Sequence, residues 1–190
     1  MRVLLVLGLI LGAFLRFANY QTWVSERRES SSESSSLELK ASPLELSLVA
    51  DKHSYKRADY LRLHAMLINT DYLHDIFVYG TLGWGYSASL TFTVRDASGR
   101  EIQPQIFLDD LTPPITPDDT TAFVKLRPKH YLGTDLVTKL DLLNLRKPGK
   151  YSVFAEYHSP ILGTEVKLNP FWGKEKGTIK SNIVWIEVVR

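Results

Sequence analysis

The chain contains no cysteine. That excludes disulfides, thiolate metal sites, a cysteine nucleophile and a lipidated N-terminal cysteine. It does not exclude export, because a body of about 150 residues buries ~70% of its unfolded surface and can hold a core without staples. There is no Asn-x-Ser/Thr sequon either, and the two absences together fit a bacterial periplasmic or surface protein. An excess of one charge is also missing. Four of the 23 bases and three of the 21 acids precede Leu37, which leaves 19 against 18 in the remainder. A near-neutral body carries no electrostatic footprint for nucleic acid. The sequence has no HExxH, no P-loop and no GxGxxG, so the common metalloprotease, nucleotide and dinucleotide motifs are absent.

One apolar run is present at the start. Met1-Arg2 precedes Val3 to Leu15, the positive-then-apolar shape of an export signal. The run is short for a bilayer span of ~20 residues, and extending it to Val24 takes in Arg16, Asn19 and Gln21. Residues 1–24 are read as a signal peptide or a membrane anchor, the latter tethering the chain through residues 3–24. Residues 25–37 include SSSESSS and read as a flexible tether, since such a stretch buries too little apolar area to offset its ordering entropy. Residues 38–190 form the folded body. The expected location is exported: periplasmic, cell-surface or secreted.

The body alternates. Leu44, Leu46 and Leu48 alternate with Glu45, Ser47 and Val49; Leu61 to Ile68 and Leu90 to Arg95 do the same. A period of two sends one set of side chains to each face of a sheet. Further strands are expected at 76–82, 122–126, 151–158 and 179–189, separated by turn signals at Asp96-Ala97-Ser98-Gly99, Pro113-Pro114 and Pro148-Gly149. Thr134-Asp135 reads as the cap of a short helical turn running to Leu145. About seven short strands without a long amphipathic helix predict an all-β, antiparallel sandwich.

The segment Lys147-Pro148-Gly149-Lys150-Tyr151 opens a turn directly into a strand headed by tyrosine. Pro148, Gly149 and Tyr151 are assigned structural roles, with Tyr151 returning its hydroxyl to backbone upstream of the turn. On this PGKY strand and the strand–turn–strand opening from Leu44 to Thr70, the body resembles bacterial exported immunoglobulin-like domains. Macroglobulin-type and intracellular proteinase inhibitor-like modules share the pattern. Two departures stand out: Lys56-Arg57-Ala58-Asp59 replaces the usual glycine-containing turn, and a macroglobulin thioester would need a cysteine. The resemblance implies an immunoglobulin-like fold with a binding or scaffold role.

Candidate sites are few. Gly83-Trp84-Gly85-Tyr86 and Phe171-Trp172-Gly173 set large rings beside glycine in expected loops. Exposed there, Trp84, Tyr86, Phe171 and Trp172 would stack on a sugar or anchor a peptide; Trp185, inside the last strand, is expected in the core. Asp109, Asp110, Asp118 and Asp119 flank a proline-rich loop and offer oxygen ligands for calcium, against the alternative of turn-forming aspartates. Gly85-Tyr86-Ser87-Ala88-Ser89 half-resembles a nucleophile elbow but lacks its final glycine. No cofactor is expected. The sequence therefore predicts a non-enzymatic exported binding or structural module whose partner is a protein or glycan on the outer side of a membrane. The alternatives are a protease-inhibitor-like module offering Leu108–Thr121, and a small accessory domain of an enzyme system with a metal- or glycan-binding site on its loops.

Overall fold

The computed structural model describes residues 42–85, 89–104, 116 and 118–190. These residues are all-β, built from eleven strands and short 3-10 turns. β1 (Leu44–Ala50), β3 (Tyr60–Asn69) and β8 (Tyr131–Lys139) make a three-stranded antiparallel sheet in the order β1-β3-β8. A second sheet runs β2 (Ser54–Lys56), β11 (Val184–Val189), β9 (Gly149–Tyr157), β5 (Leu90–Asp96), β6 (Glu101–Ile102). Within it β2 and β11 are parallel, and the remaining pairs are antiparallel. β10 (Ile179–Lys180) also pairs with β9, at Tyr157 and Glu156. β4 (Ile76–Tyr79) and β7 (Phe123–Leu126) form a separate antiparallel pair.

One core joins the two larger sheets. Leu46, Leu48, Leu61, Leu63 and Leu67 from the first meet Leu90, Val94, Val153, Ala155, Tyr157 and Ile186 from the second. These are the inward-facing members of the alternating strands, as period two requires. A smaller cluster lies at the β4–β7 pair, where Tyr79, Phe123, Ile161, Val166 and Phe171 pack together.

The first sheet and the end of the chain are linked by a side chain acting as backbone. The Leu48 N–H donates to Asn182 Oδ1 at 2.8 Å, and Asn182 Nδ2 donates to the Leu48 carbonyl at 2.9 Å. One amide thus satisfies both hydrogen-bonding groups of a β1 residue, where the chain between β10 and β11 leaves β9. Ser181 fills the break on the other side: its backbone N–H donates to the Ala155 carbonyl at 2.9 Å, and its hydroxyl accepts from the Ala155 N–H at 2.9 Å.

Two local expectations need correction. Residues Thr134 and Asp135 cap no helix; they lie within β8, which pairs with β3 from Tyr60↔Lys139 to Ile68↔Tyr131. The segment alternates and carries Thr134, Val137 and Thr138, which suit a pleated surface. A single 3-10 turn follows at Leu140–Leu143, ending on Asn144 with φ 59°. The strand count also exceeds seven: β8 is a strand, the expected run 179–189 divides into β10 and β11, and β2 and β6, only three and two residues long, show no period of their own.

The turn at Lys56 to Asp59 closes without glycine. The Asp59 N–H donates to the Lys56 carbonyl at 2.8 Å, and the Asp59 carboxylate accepts from the Lys56 N–H at 3.0 Å and from Lys52 Nζ at 2.6 Å. An aspartate bonding back into its own turn does here what glycine does elsewhere.

Candidate functional site

Three of the four rings in the glycine-flanked segments are described, and all three are buried. Trp84 is 4% exposed, Phe171 7% and Trp172 8%. Tyr86 lies outside the described residues. Trp84 is held beside β5 because the Gly85 N–H donates to the Leu90 carbonyl and the Leu90 N–H donates to the Gly83 carbonyl, each at 2.9 Å. Its ring meets Phe92 edge-on at 6.1 Å. Phe171 and Trp172 run alongside β4: the Phe77 N–H donates to the Pro170 carbonyl at 2.8 Å, and the Trp172 N–H to the Phe77 carbonyl at 2.9 Å. Phe171 packs edge-on against Phe123 at 5.2 Å. The indole N–H of Trp172 is buried and has no hydrogen-bond partner among the described residues, so it presents no donor to a ligand in solvent. The expected ligand-stacking role of Trp84, Phe171 and Trp172 is therefore corrected to a packing role.

The physical reason is the glycine itself. A Cβ on Gly173 would sit 2.2 Å from the Gly163 backbone nitrogen. Gly173 has an ordinary extended backbone, φ −87° and ψ 173°, so what it supplies is room. Glu175 reaches into the same space to accept from the Gly163 N–H at 2.9 Å, and that bond holds its carboxyl below the usual range. Glycine beside a ring here marks two backbones packed together.

The proline-rich loop offers no assembled metal centre among the described residues. Asp109 and Asp110 lie outside them. Asp118 pairs with Lys167 at 3.0 Å, both side chains well exposed. Asp119 accepts from the Thr121 N–H at 3.0 Å and caps the 3-10 turn Thr120–Ala122; bonds from the Thr121 hydroxyl and N–H hold its carboxyl below the usual range. The described residues contain no group of three or more histidine, aspartate or glutamate side chains placed to hold a metal.

Trp185 is the correction in the opposite direction. It is 58% exposed. Val184, Ile186 and Val188 of β11 face inward, which turns Trp185 and Glu187 to the outer face. The signal was present in the alternation, because Trp185 has the parity of Glu187. Register places Trp185 opposite Ser152 of β9, and Ser152 opposite Arg95 of β5. Next on that face Phe154 lies opposite Thr93, buried beneath two cations, with Lys180 Nζ 3.7 Å and the Arg95 guanidinium 5.3 Å from its ring centre. Lys180 also pairs with Glu156 at 3.7 Å. The result is one open indole on a sheet face rimmed by donors and acceptors.

The outer face of the first sheet is built differently. Tyr60, Tyr131, Val49 and Val137 are exposed there, but charged groups interrupt them. Val49 lies opposite His64 and His64 opposite Asp135, Val137 opposite Arg62, and Tyr60 opposite Lys139. His64 Nδ1 and the Asp135 carboxylate make a direct contact.

A third feature is an open cleft of about 540 Å³ at the end of the second sheet, between the Asp96–Arg100 turn and the segment from Asn144 to Tyr151. Tyr151 anchors it. The residue is 5% exposed, and its hydroxyl donates to the Lys147 carbonyl at 2.6 Å, upstream of Pro148-Gly149. Burial, with Asp96 nearby, pushes its phenol up. Gly149 takes φ +156° at the turn, a backbone region that favours glycine.

No protein-family model matches the chain, and no curated protein matches it. Among solved structures it is similar to a β-glucosidase of Erythrobacter marinus, at 13% identity and TM-score 0.35, over 77% of this chain and 15% of that one. It is also similar to a β-glucosidase of Listeria innocua in complex with gluconolactone, at 12% identity and TM-score 0.32, over 87% of this chain and 20% of that one. The chain spans a fifth or less of the length of these structures, and similarity at that level bears on neither activity nor ligand.

Proposed function

We propose that this chain is an exported, non-catalytic binding module with an immunoglobulin-like β-sandwich fold, and that it holds a glycan on the outer face of β11, β9 and β5. Two features support the fold reading. The orders β1-β3-β8 and β2-β11-β9-β5-β6 place the first strand on one sheet and the second, parallel to the last, on the other. The bonded Tyr151 sits at the corner that such sandwiches reserve for tyrosine. Support for export is the apolar run Val3 to Leu15 and the serine-rich stretch after it.

The observation that carries the binding role is the exposed Trp185 ring among Ser152, Arg95 and Glu187. A pyranose has an apolar C–H face and a rim of hydroxyls. One flat ring with donors and acceptors around it matches that distribution. A protein partner would call for a broader apolar centre, and here the neighbouring Phe154 is capped by Lys180 and Arg95. The test is a glycan and peptide array probed with the wild type and Trp185→Ala. Glycan binding that is lost in the variant, with an unchanged melting temperature, supports the reading. Glycan binding that survives the substitution, or binding to peptides alone, overturns it.

A further inference from the structure

We propose a second site, at the end of the sheet that carries Trp185 and adjoining that face at Lys150: the cleft between the Asp96–Arg100 turn and residues 144–151 binds a phosphate group. Its lining contains Arg100, Arg146, Lys147 and Lys150 against one carboxylate, Asp96. Arg100 neutralises that carboxylate, at 3.0 Å from Nη2 and 3.2 Å from Nε. Lys147 and Lys150 have no carboxylate within ion-pair distance among the described residues. Glu187, the cross-strand neighbour of Lys150, is outside that distance as well. Lys147 and Lys150 therefore give the cleft a local excess of positive charge on a body that is close to neutral overall.

Concave shape gives that excess a focus. The turn on one side is fixed by Asp96, whose carboxylate accepts from the Ser98 N–H at 3.0 Å and the Arg100 N–H at 3.1 Å. The other side is fixed by the Tyr151–Lys147 bond and by Asn144, whose amide donates to the Gln103 carbonyl at 2.6 Å. Both walls are thus braced by hydrogen bonds within the protein before any ligand arrives. A dianion matches several neighbouring cations better than a monoanion, and lysine and arginine both bind phosphate oxygens well. The phosphate can belong to a soluble phosphate ester or to a lipid headgroup.

The experiment uses the full chain and its Lys147→Gln/Lys150→Gln variant. Both lysines are exposed, and glutamine opposite Glu187 adds no like charge there, so the variant should melt as the wild type does. One arm titrates inorganic phosphate by NMR or calorimetry. The other measures binding to phosphatidylcholine vesicles with and without phosphatidic acid. The expected result is binding in at least one arm that weakens about tenfold or more in the double variant and falls with added salt. Binding to phosphate alone assigns a soluble ester, and binding to phosphatidic acid vesicles alone assigns a headgroup. Absence of binding in both arms, or binding that the variant leaves unchanged, overturns the proposal. Trp185→Ala should not alter either arm, which separates this site from the glycan face.

Discussion

Trp172 and Trp185 lie thirteen positions apart and have opposite fates. Trp172 stands beside glycine in a loop, the setting that suggests display, and it is buried against β4. Trp185 stands in mid-strand between Val184 and Ile186, the setting that suggests core, and it is 58% exposed. The difference is one of constraint. In a loop the ring goes where backbone contacts take it, and Gly173 permits an approach to Gly163 that folds the segment down. In a strand the parity of the neighbours decides, and Val184, Ile186 and Val188 already hold the inner face. Glycine beside an aromatic is a statement about packing distance. Strand parity is a statement about exposure.

Truncating the two rings should break this symmetry most visibly. Trp172→Ala is expected to lose about 3–5 kcal/mol, as for other buried tryptophans. Trp185→Ala should change stability by no more than about 0.5 kcal/mol. Chemical denaturation of both variants reads the difference directly. Equal losses would mean that Trp185 is covered in solution, and the glycan face would lose its anchor.

The glycine is the next point of attack. Gly173→Ala adds a single methyl group where the obstacle is backbone nitrogen at 2.2 Å, which cannot swing aside as a side chain would. Overpacking of this kind costs about 1–3 kcal/mol. A denaturation midpoint unchanged from wild type would show that the two loops are not pressed together, and Gly173 would then have no packing role.

What the sequence disclosed follows the same division. β1, β3 and β5 were legible because one apolar set recurs at every second position over seven to ten residues. The Tyr151 corner was legible because proline and glycine fix the turn immediately before the strand. β8 was misread as a helical cap, since Thr134-Asp135 carries a local capping signal while its pairing partner β3 lies some seventy residues upstream. β2 and β6 are too short to show a period, and they exist through pairing with β11 and β5. The loop rings were misjudged as exposed because their fate depends on contacts such as Phe77 with Pro170 and Trp172, which no local pattern encodes. The cleft draws on residues from two separate turns, and only the fold brings Arg100 near Lys147 and Lys150.

Tyr151 offers a milder comparison, between a ring that packs and a hydroxyl that bonds. Tyr151→Phe keeps the buried ring and removes the donor to the Lys147 carbonyl. The expected cost is about 0.5–1.5 kcal/mol, the net worth of one such bond, read from equilibrium denaturation. The same substitution also frees one wall of the cationic cleft, so phosphate affinity should weaken with it. A variant that is fully stable and binds as the wild type would show that the Pro148-Gly149 turn holds its shape without the tyrosine.

The smallest expected effect concerns pH and again separates the loop side from the sheet face. His158 follows β9 and donates its backbone N–H to the Ser89 carbonyl at 2.9 Å. Burial lowers the pKa of its imidazole, and the Lys174 ammonium, next to Gly173, adds to the shift. The neutral ring is thus the form that the folded state prefers. In the unfolded chain the same ring titrates near its ordinary value of about 6.5. Above that value His158 is neutral in both states and its full contribution is present. As the pH falls below it, the unfolded chain takes up a proton that the folded chain resists, and stability is lost until the pH has passed the folded value. The melting temperature should therefore fall between pH 7.5 and 5.5, and His158→Gln should fall less. The other four histidines are common to both proteins, so the difference between the two slopes isolates His158. Lys174→Gln should reduce the wild-type slope without abolishing it, because burial is the larger cause. Trp185→Ala should leave the slope unchanged, since the His158 shift arises from burial and Lys174. Parallel slopes for wild type and His158→Gln would place the imidazole in solvent and detach it from the packed loop.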